Sequence, residues 1–286
     1  MDAFAVYRVL AVMLAVPSLA LNGLVILALL RRGTGWAIDV QLMFLIGVLD
    51  TMCAMFVFVL QIAQKATGSL LIDQPVWCTL SAIMCEATVV SAVVLAAMLS
   101  MARYLAIVRG RSLATGRWML GGISAAVVVW LVVYVISLVD EPQAMPSKLY
   151  CFPLRLDFSA PRMLFFVLFL LIVLLPSLMV VGGCYSMLLL HLRRLVSYGE
   201  PSAGRGRLFL KIILVLFSYC LALLPELALL FKEAASKVPR TPGEDATVTL
   251  LLFSLTIVNA VFVLALHHET RQECRNILKL PTLILK

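Results

Sequence analysis

The chain has 286 residues, of which 63% are hydrophobic and only 13% charged, and its mean hydropathy is +1.07. Soluble domains carry roughly 25% charged residues, so this composition excludes a soluble globular protein and points to an integral membrane protein. The net charge of +8 does not mark a nucleic-acid binder, because the basic residues lie in short segments between apolar runs and read as positive-inside topology.

Seven runs meet the bilayer requirement of about 17–25 apolar residues. They lie near 7–30, 39–63, 77–108, 118–139, 163–191, 208–231 and 246–266. The first lacks a basic leader, is too long for a cleavable signal and ends in Arg31-Arg32, so it is expected to be a signal-anchor helix. The expectation is a single all-α seven-transmembrane domain over 1–286. An N-terminus outside places 15 of the 23 Lys and Arg residues on the cytoplasmic side, in keeping with that rule. The longest connections are the outside loop Asp140–Arg162 and the inside loop Arg193–Arg207. The second, with Ser197, Gly199, Pro201, Ser202, Gly204 and Gly206, reads as flexible. Beyond the seventh span, Glu269–Leu280 is a short amphipathic, basic segment, expected to form a helix over 269–280.

The third run joins two informative ends. Cys78 and Arg103 are 25 residues apart, so a helix puts them about 37 Å apart, more than the ~30 Å hydrocarbon core. Of seven cysteines, only Cys78 and Cys151 fall at the oxidising face. A disulfide between them would tether the long outside loop to the third helix. Cys53, Cys85, Cys184 and Cys220 read as small apolar packing residues. Cys274 has two readings, a palmitate anchor and a plain cytosolic thiol.

These residues resemble the rhodopsin-like (class A) G-protein-coupled receptors over nearly the whole chain, in a divergent form. Leu21-Asn22-Gly23-Leu24-Val25 is similar to the family's Gly-Asn-x-x-Val in helix 1. Leu45 to Asp50 matches Leu-x-x-x-Asp in helix 2. Arg103-Tyr104-Leu105-Ala106-Ile107-Val108 is similar to Asp-Arg-Tyr-x-x-x-Val in helix 3. Trp130, Pro176 and Pro225 stand for helices 4, 5 and 6, and Asn259-Ala260-Val261-Phe262-Val263 stands for Asn-Pro-x-x-Tyr in helix 7. The compact loops and eroded motifs resemble virally captured and fast-diverging orphan receptors.

The resemblance implies a plasma-membrane receptor and not an enzyme. It implies a heterotrimeric G protein as partner at Arg103, Tyr104, Arg193, Arg194 and Lys211, where lipid phosphate contact is the plainer reading of the other basic residues. It also implies an unknown extracellular ligand in the outer half, near Glu86, Cys85, Glu226 and Leu223. Two acids with few nearby bases favour a cationic ligand; a carboxyl turned to a neighbouring helix, or protonated, is the alternative. Cys85 takes the family's amine-anchoring position, which argues against a typical monoamine. Asn22, Asp50, Ser91, Thr256 and Asn259 make a polar core, either a water-filled network or a sodium site on Asp50. Departures accompany the matches. Ala102 replaces the acid before the arginine, Leu223 the helix 6 tryptophan, and Ala260 and Val263 the helix 7 proline and tyrosine. Tyr185 comes nine residues after Pro176 where the family has eight.

Three functions follow as expectations. The first is a receptor that transmits an external signal, or constitutive activity, to a G protein. The second is a receptor-fold scavenger or heteromer partner that does not signal. The third is a small-solute transporter, disfavoured because neither an internal repeat nor a charged through-path is apparent. No lysine lies between Ala246 and His267 for a retinal Schiff base, and no catalytic set is evident.

Overall fold

Each apolar run folds as a helix because a bilayer core offers no partner for an unpaired backbone N–H or C=O. The computed structural model describes residues 3–31, 37–111, 115–139, 141–153, 161–197, 203–236 and 238–278. Its helices are α1 (Ala3–Arg31), α2 (Ile38–Thr67), α3 (Pro75–Ile107), α4 (Thr115–Val139), α5 (Pro161–Ser197), α6 (Ala203–Ser236), α7 (Pro242–Leu266) and α8 (His268–Leu278). The first seven are long and apolar enough to cross a membrane. The protein is thus a multi-pass integral membrane protein with a short helix after the last span.

Local chemistry sets several helix ends. Gly68 closes α2 with φ +66°, a left-handed position that glycine adopts without steric cost. Pro75 opens α3, where its missing N–H costs nothing. Thr241 and Glu244 form a reciprocal capping box at the start of α7, with Pro242 between them.

Most helices overrun the apolar windows, because backbone hydrogen bonding does not stop at the membrane surface. This corrects the inside loop over Arg193–Arg207: α5 continues to Ser197 and α6 begins at Ala203. Leucine and arginine are strong helix formers and carry the helix past the bilayer. The last helix ends at Leu278, and residues 279 and 280 of the expected segment lie outside the described residues.

The third helix is the hub and packs against α2, α4 and α5. In its most apolar window 67% of the residues are buried, against 12–44% for the other six spans. Its buried Ala82, Ala87, Ser91, Ala92, Ala96 and Ser100 permit close backbone approach. On α4, a Cβ at Gly122 would lie 3.1 Å from Leu95 Cδ2 and 3.2 Å from Leu42 Cδ2, so α4 crosses α2 and α3 where only hydrogen fits comfortably.

The outer end is roofed. A two-stranded antiparallel hairpin, β1 (Gln143–Ala144) and β2 (Cys151–Phe152), lies across it. The Cys78–Cys151 disulfide ties the hairpin to α3 with a Cα–Cα distance of 5.3 Å. Met145, Leu149, Tyr150 and Phe152 are all buried. Lys148 Nζ reaches Asp73 Oδ1 at 2.6 Å, and the Ser147 N–H donates to Asp245 Oδ2 of α7 at 2.9 Å.

Candidate functional site

At the inner end, Ala102 is buried at the base of α3, and Arg103 on the next position extends away from it. The Arg103 guanidinium donates from Nη1 to Tyr185 Oη of α5 at 3.1 Å and from Nη2 to Met43 Sδ of α2 at 3.6 Å. Both partners are neutral. Among the described residues no carboxylate forms an ion pair with Arg103. An acid does stand near it: Asp39, one turn before Met43 on α2, interacts electrostatically with Arg103. Asp39 pairs directly with His267 Nε2 at 3.0 Å, joining the start of α2 to the α7–α8 corner.

Arg103, Met43, Tyr185, Tyr219, Asn259 and Phe262 are among the residues lining a cavity of about 40 Å³, enough for roughly three water molecules. Tyr104 Oη accepts from Arg109 Nε at 3.2 Å. Arg193 and Arg194 are exposed near the inner end of α5. The side chains of Arg207 and Lys211 lie outside the described residues. Cys274 does not face the lipid. It is buried, its thiol 3.8 Å from Leu24 O of α1. Burial, with the nearby charge of Glu273, pushes that thiol up to about 11. A palmitate there requires α8 to lift from α1.

Deeper in the bundle a polar chain crosses three helices. Tyr219 Oη of α6 donates to Asn259 Oδ1 of α7 at 2.7 Å, and Asn259 Nδ2 donates to Asp50 Oδ2 of α2 at 2.9 Å. Asn22 Nδ2 donates to Thr256 O at 2.9 Å, and Ser18 Oγ to Thr256 Oγ1 at 2.8 Å. These bonds stitch α1 to α7. Thr256 Oγ1 also donates to Phe253 O, Asn259 is engaged through both its oxygen and its amide, and Ser91 Oγ is a buried atom without a partner, so these residues build a hydrogen-bonded polar network.

The outer half holds a cluster that sequence reasoning found only in part. Arg240, from the segment between α6 and α7, has a fully buried side chain in contact with three carboxylates. Nε and Nη2 donate to Glu233 at 3.0 and 2.8 Å. Nη1 and Nη2 donate to the two oxygens of Glu226, each at 3.1 Å. Nη1 also donates to Asp245 Oδ1 at 3.3 Å. All five guanidinium N–H groups are therefore used. Burial opposes the charge of Arg240, but the hydrogen bonds to Glu233 and the charge of Glu226 outweigh it and hold its pKa above the ordinary arginine value. Breaking such a buried pair by removing one partner costs about 3–5 kcal/mol.

The expected ligand residues divide around this cluster. Glu86 and Glu226 are brought into one electrostatic neighbourhood, for the charges that act most strongly on Glu86 are Glu226 and then Arg240. Glu86 makes no hydrogen bond or ion pair among the described residues. Cys85 is buried and its thiol interacts with that of Cys53 on α2. Leu223 is core, 3% exposed. Tyr150 of the hairpin belongs to the same neighbourhood: burial raises its phenol well above the usual value, and the charges of Glu226 and Asp245 add to the rise. The sequence signal for Arg240 is its flanking acids, Glu233 seven residues before and Asp245 five after.

The two levels share two helices. Glu226 and Tyr219 are seven residues apart on α6, and Asp245 and Asn259 are 14 apart on α7. Both intervals return to nearly the same helix face, about 10 and 21 Å along the axis. The outer arginine and the deeper Tyr219–Asn259 bond thus join the same two helices at two depths.

The sequence model of the 7 transmembrane receptor (rhodopsin family) matches residues 21–266. A comparison with curated proteins found no match.

Proposed function

The chain belongs to the rhodopsin family of seven-transmembrane receptors, and from that premise we propose that it activates a heterotrimeric G protein at its inner face, with basal activity in the absence of an external ligand. The observation that carries this reading is Arg103. Its guanidinium is held by a phenol and a thioether, beside an alanine where the family has an acid. Its charge is therefore left without a directly bonded anion and is available to the carbonyls and carboxylates of a docking helix. Arg193 and Arg194 extend the positive surface on α5.

The outer acids are the ligand anchor in this reading. Glu86 has a carboxyl group without a hydrogen-bond or ion-pair partner among the described residues, beside an excess of acid over base, and that surplus favours a ligand that brings positive charge. Ligand binding at Glu226 or Asp245 acts on α6 and α7, and the Tyr219–Asn259 bond transmits the change in packing toward the cavity beside Arg103. Such a shift is limited by the ligand's difference in affinity between the two arrangements.

A second reading is a receptor-fold partner or scavenger without signalling, and the altered switch positions Leu223, Ala260 and Val263 favour it. The experiment that separates the two is basal and ligand-screened G-protein activation by the parent and by Arg103→Ala at equal surface amounts. The account expects measurable basal activation in the parent and its loss in the variant. Equal, robust activation by both removes the role given to Arg103, and no activation with any G protein supports the second reading.

A further inference from the structure

Asp39 is a carboxylate shared between an imidazole and a guanidinium. It lies in the first turn of α2, where the Val40 N–H donates to its Oδ1 at 2.9 Å. Its Oδ2 is 3.0 Å from His267 Nε2. Both oxygens are engaged, so the carboxylate is held where it stands and acts on Arg103 at a distance. The helix geometry places it there. Asp39 and Met43 are four residues apart, on one face of α2, and Met43 Sδ accepts from Arg103 Nη2 at 3.6 Å. His267 is pinned in turn at the end of α7. Its N–H donates to Val263 O at 2.9 Å, and its carbonyl accepts from the Arg271 N–H of α8 at 3.0 Å. With a neutral imidazole the Asp39–His267 pair carries one negative charge, and with an imidazolium it carries none. Imidazole is the side chain whose charge changes within the physiological pH range. Among the described residues, the other charged groups of this corner are Arg103 of α3, Glu269 and Arg271 of α8, and Arg31, which ends α1 beside α8. A second imidazole, His268, is exposed at the start of α8.

We propose that His267 is a cytosolic proton switch for the inner end: as the imidazole gains a proton it cancels the charge of Asp39, and Arg103 is released from the restraint of that carboxylate. No bond has to break, because the switch lies in the net charge of the pair and not in its place. The small cavity beside Arg103 gives the guanidinium room to shift. Basal activity then rises as the cytosolic side becomes more acidic. That consequence rests on the reading of Arg103 as the G-protein contact and adds its regulation.

The test uses the full chain in lipid nanodiscs, without added ligand, between about pH 6 and pH 8. Two quantities are read: activation of a heterotrimeric G protein, and the emission of a fluorophore on Leu210→Cys at the exposed inner end of α6, less that of the same chain with Leu210 intact. Activation is expressed relative to His267→Gln at each pH, which removes the pH dependence of the G protein itself. His267→Gln keeps a neutral donor toward Asp39 and is expected to be low throughout. His267→Lys, positive throughout, is expected to be high. The parent is expected to rise roughly two- to fivefold over His267→Gln from pH 8 to pH 6, the population change available from a partly exposed pair. Asp39→Asn is expected to abolish the pH response, since His267 then has no charge to cancel, and it serves as the reference should His267→Gln fail to fold. A flat ratio, or a pH response that survives Asp39→Asn, overturns the proposal. If a flat ratio accompanies activation that depends on Arg103, the receptor reading stands and only the switch falls. If no G protein is activated while the fluorophore responds to pH in the parent and not in His267→Gln, the switch stands and the receptor reading falls.

Discussion

Arg103 and Asp39 show how a missing residue is partly replaced by one that is distant in sequence. The carboxylate absent at Ala102 is not restored on α3. Asp39 of α2 stands nearby, but it is shared with His267 and does not form an ion pair with Arg103. Its restraint on Arg103 is therefore weak. Asp39→Asn removes that negative charge and also loosens α2 from the α7–α8 corner. The expected result is a rise in basal G-protein activation of roughly two- to fivefold, the population change available from a partly exposed pair worth up to about 1 kcal/mol. A concentration–response assay at matched surface amounts checks it, and unchanged basal activity would remove Asp39 from the account. The place of Arg103 at the inner end of α3 was legible in the sequence through its spacing from Cys78. The role of Asp39 was not, because no local pattern relates a residue at the start of α2 to the end of α7. Arg240 was hidden for a similar reason: an outside arginine ordinarily reports topology, and only the folded segment shows that it turns inward.

Among the elements, the spans were legible because membrane length and the backbone's need for internal hydrogen bonds leave few alternatives. Their ends were less so. The inside extensions of α5 and α6 carry arginines and polar residues that a hydropathy window treats as loop, while the helical hydrogen-bond ladder continues through them. The last helix gives the clearest gap between motif and packing. A cysteine in an amphipathic segment reads either as a lipid anchor or as a plain cytosolic thiol, and the structure places Cys274 against α1. With its thiol raised to about 11, it holds about a hundredfold less thiolate at neutral pH than an ordinary cysteine. Modification by a water-soluble maleimide at pH 7.4 is accordingly expected to be slow in the native protein, and to speed up as the pH rises toward the raised value or when α8 is detached. The sign follows from the shift: the packed state favours the neutral thiol, so its contribution to the stability of α8 is fully present below the ordinary thiol pKa and fades as pH climbs through about 11. Rapid labelling of Cys274 in the native protein at neutral pH would show that α8 is not packed as described.

For the molecule as a whole, the outer and inner ends are built differently. The outer end is heavily tied: the disulfide, the Ser147–Asp245 bond and the five bonds of Arg240 hold the hairpin, α6 and α7 together. At the inner end, among the described residues, the Asp39–His267 pair ties α2 to the α7–α8 corner, while Arg103 holds only neutral groups beside a small cavity. This asymmetry favours a protein whose inner face is ready to engage a partner without a ligand-driven rearrangement outside. The most direct measurement of that claim is basal G-protein activation by the parent and by Ala102→Asp, at equal surface amounts and without added ligand. Restoring a carboxylate beside Arg103 should lower basal activation several-fold, as expected when a charged partner worth about 1–2 kcal/mol favours the resting arrangement. Equal basal activation in the two proteins would contradict the account.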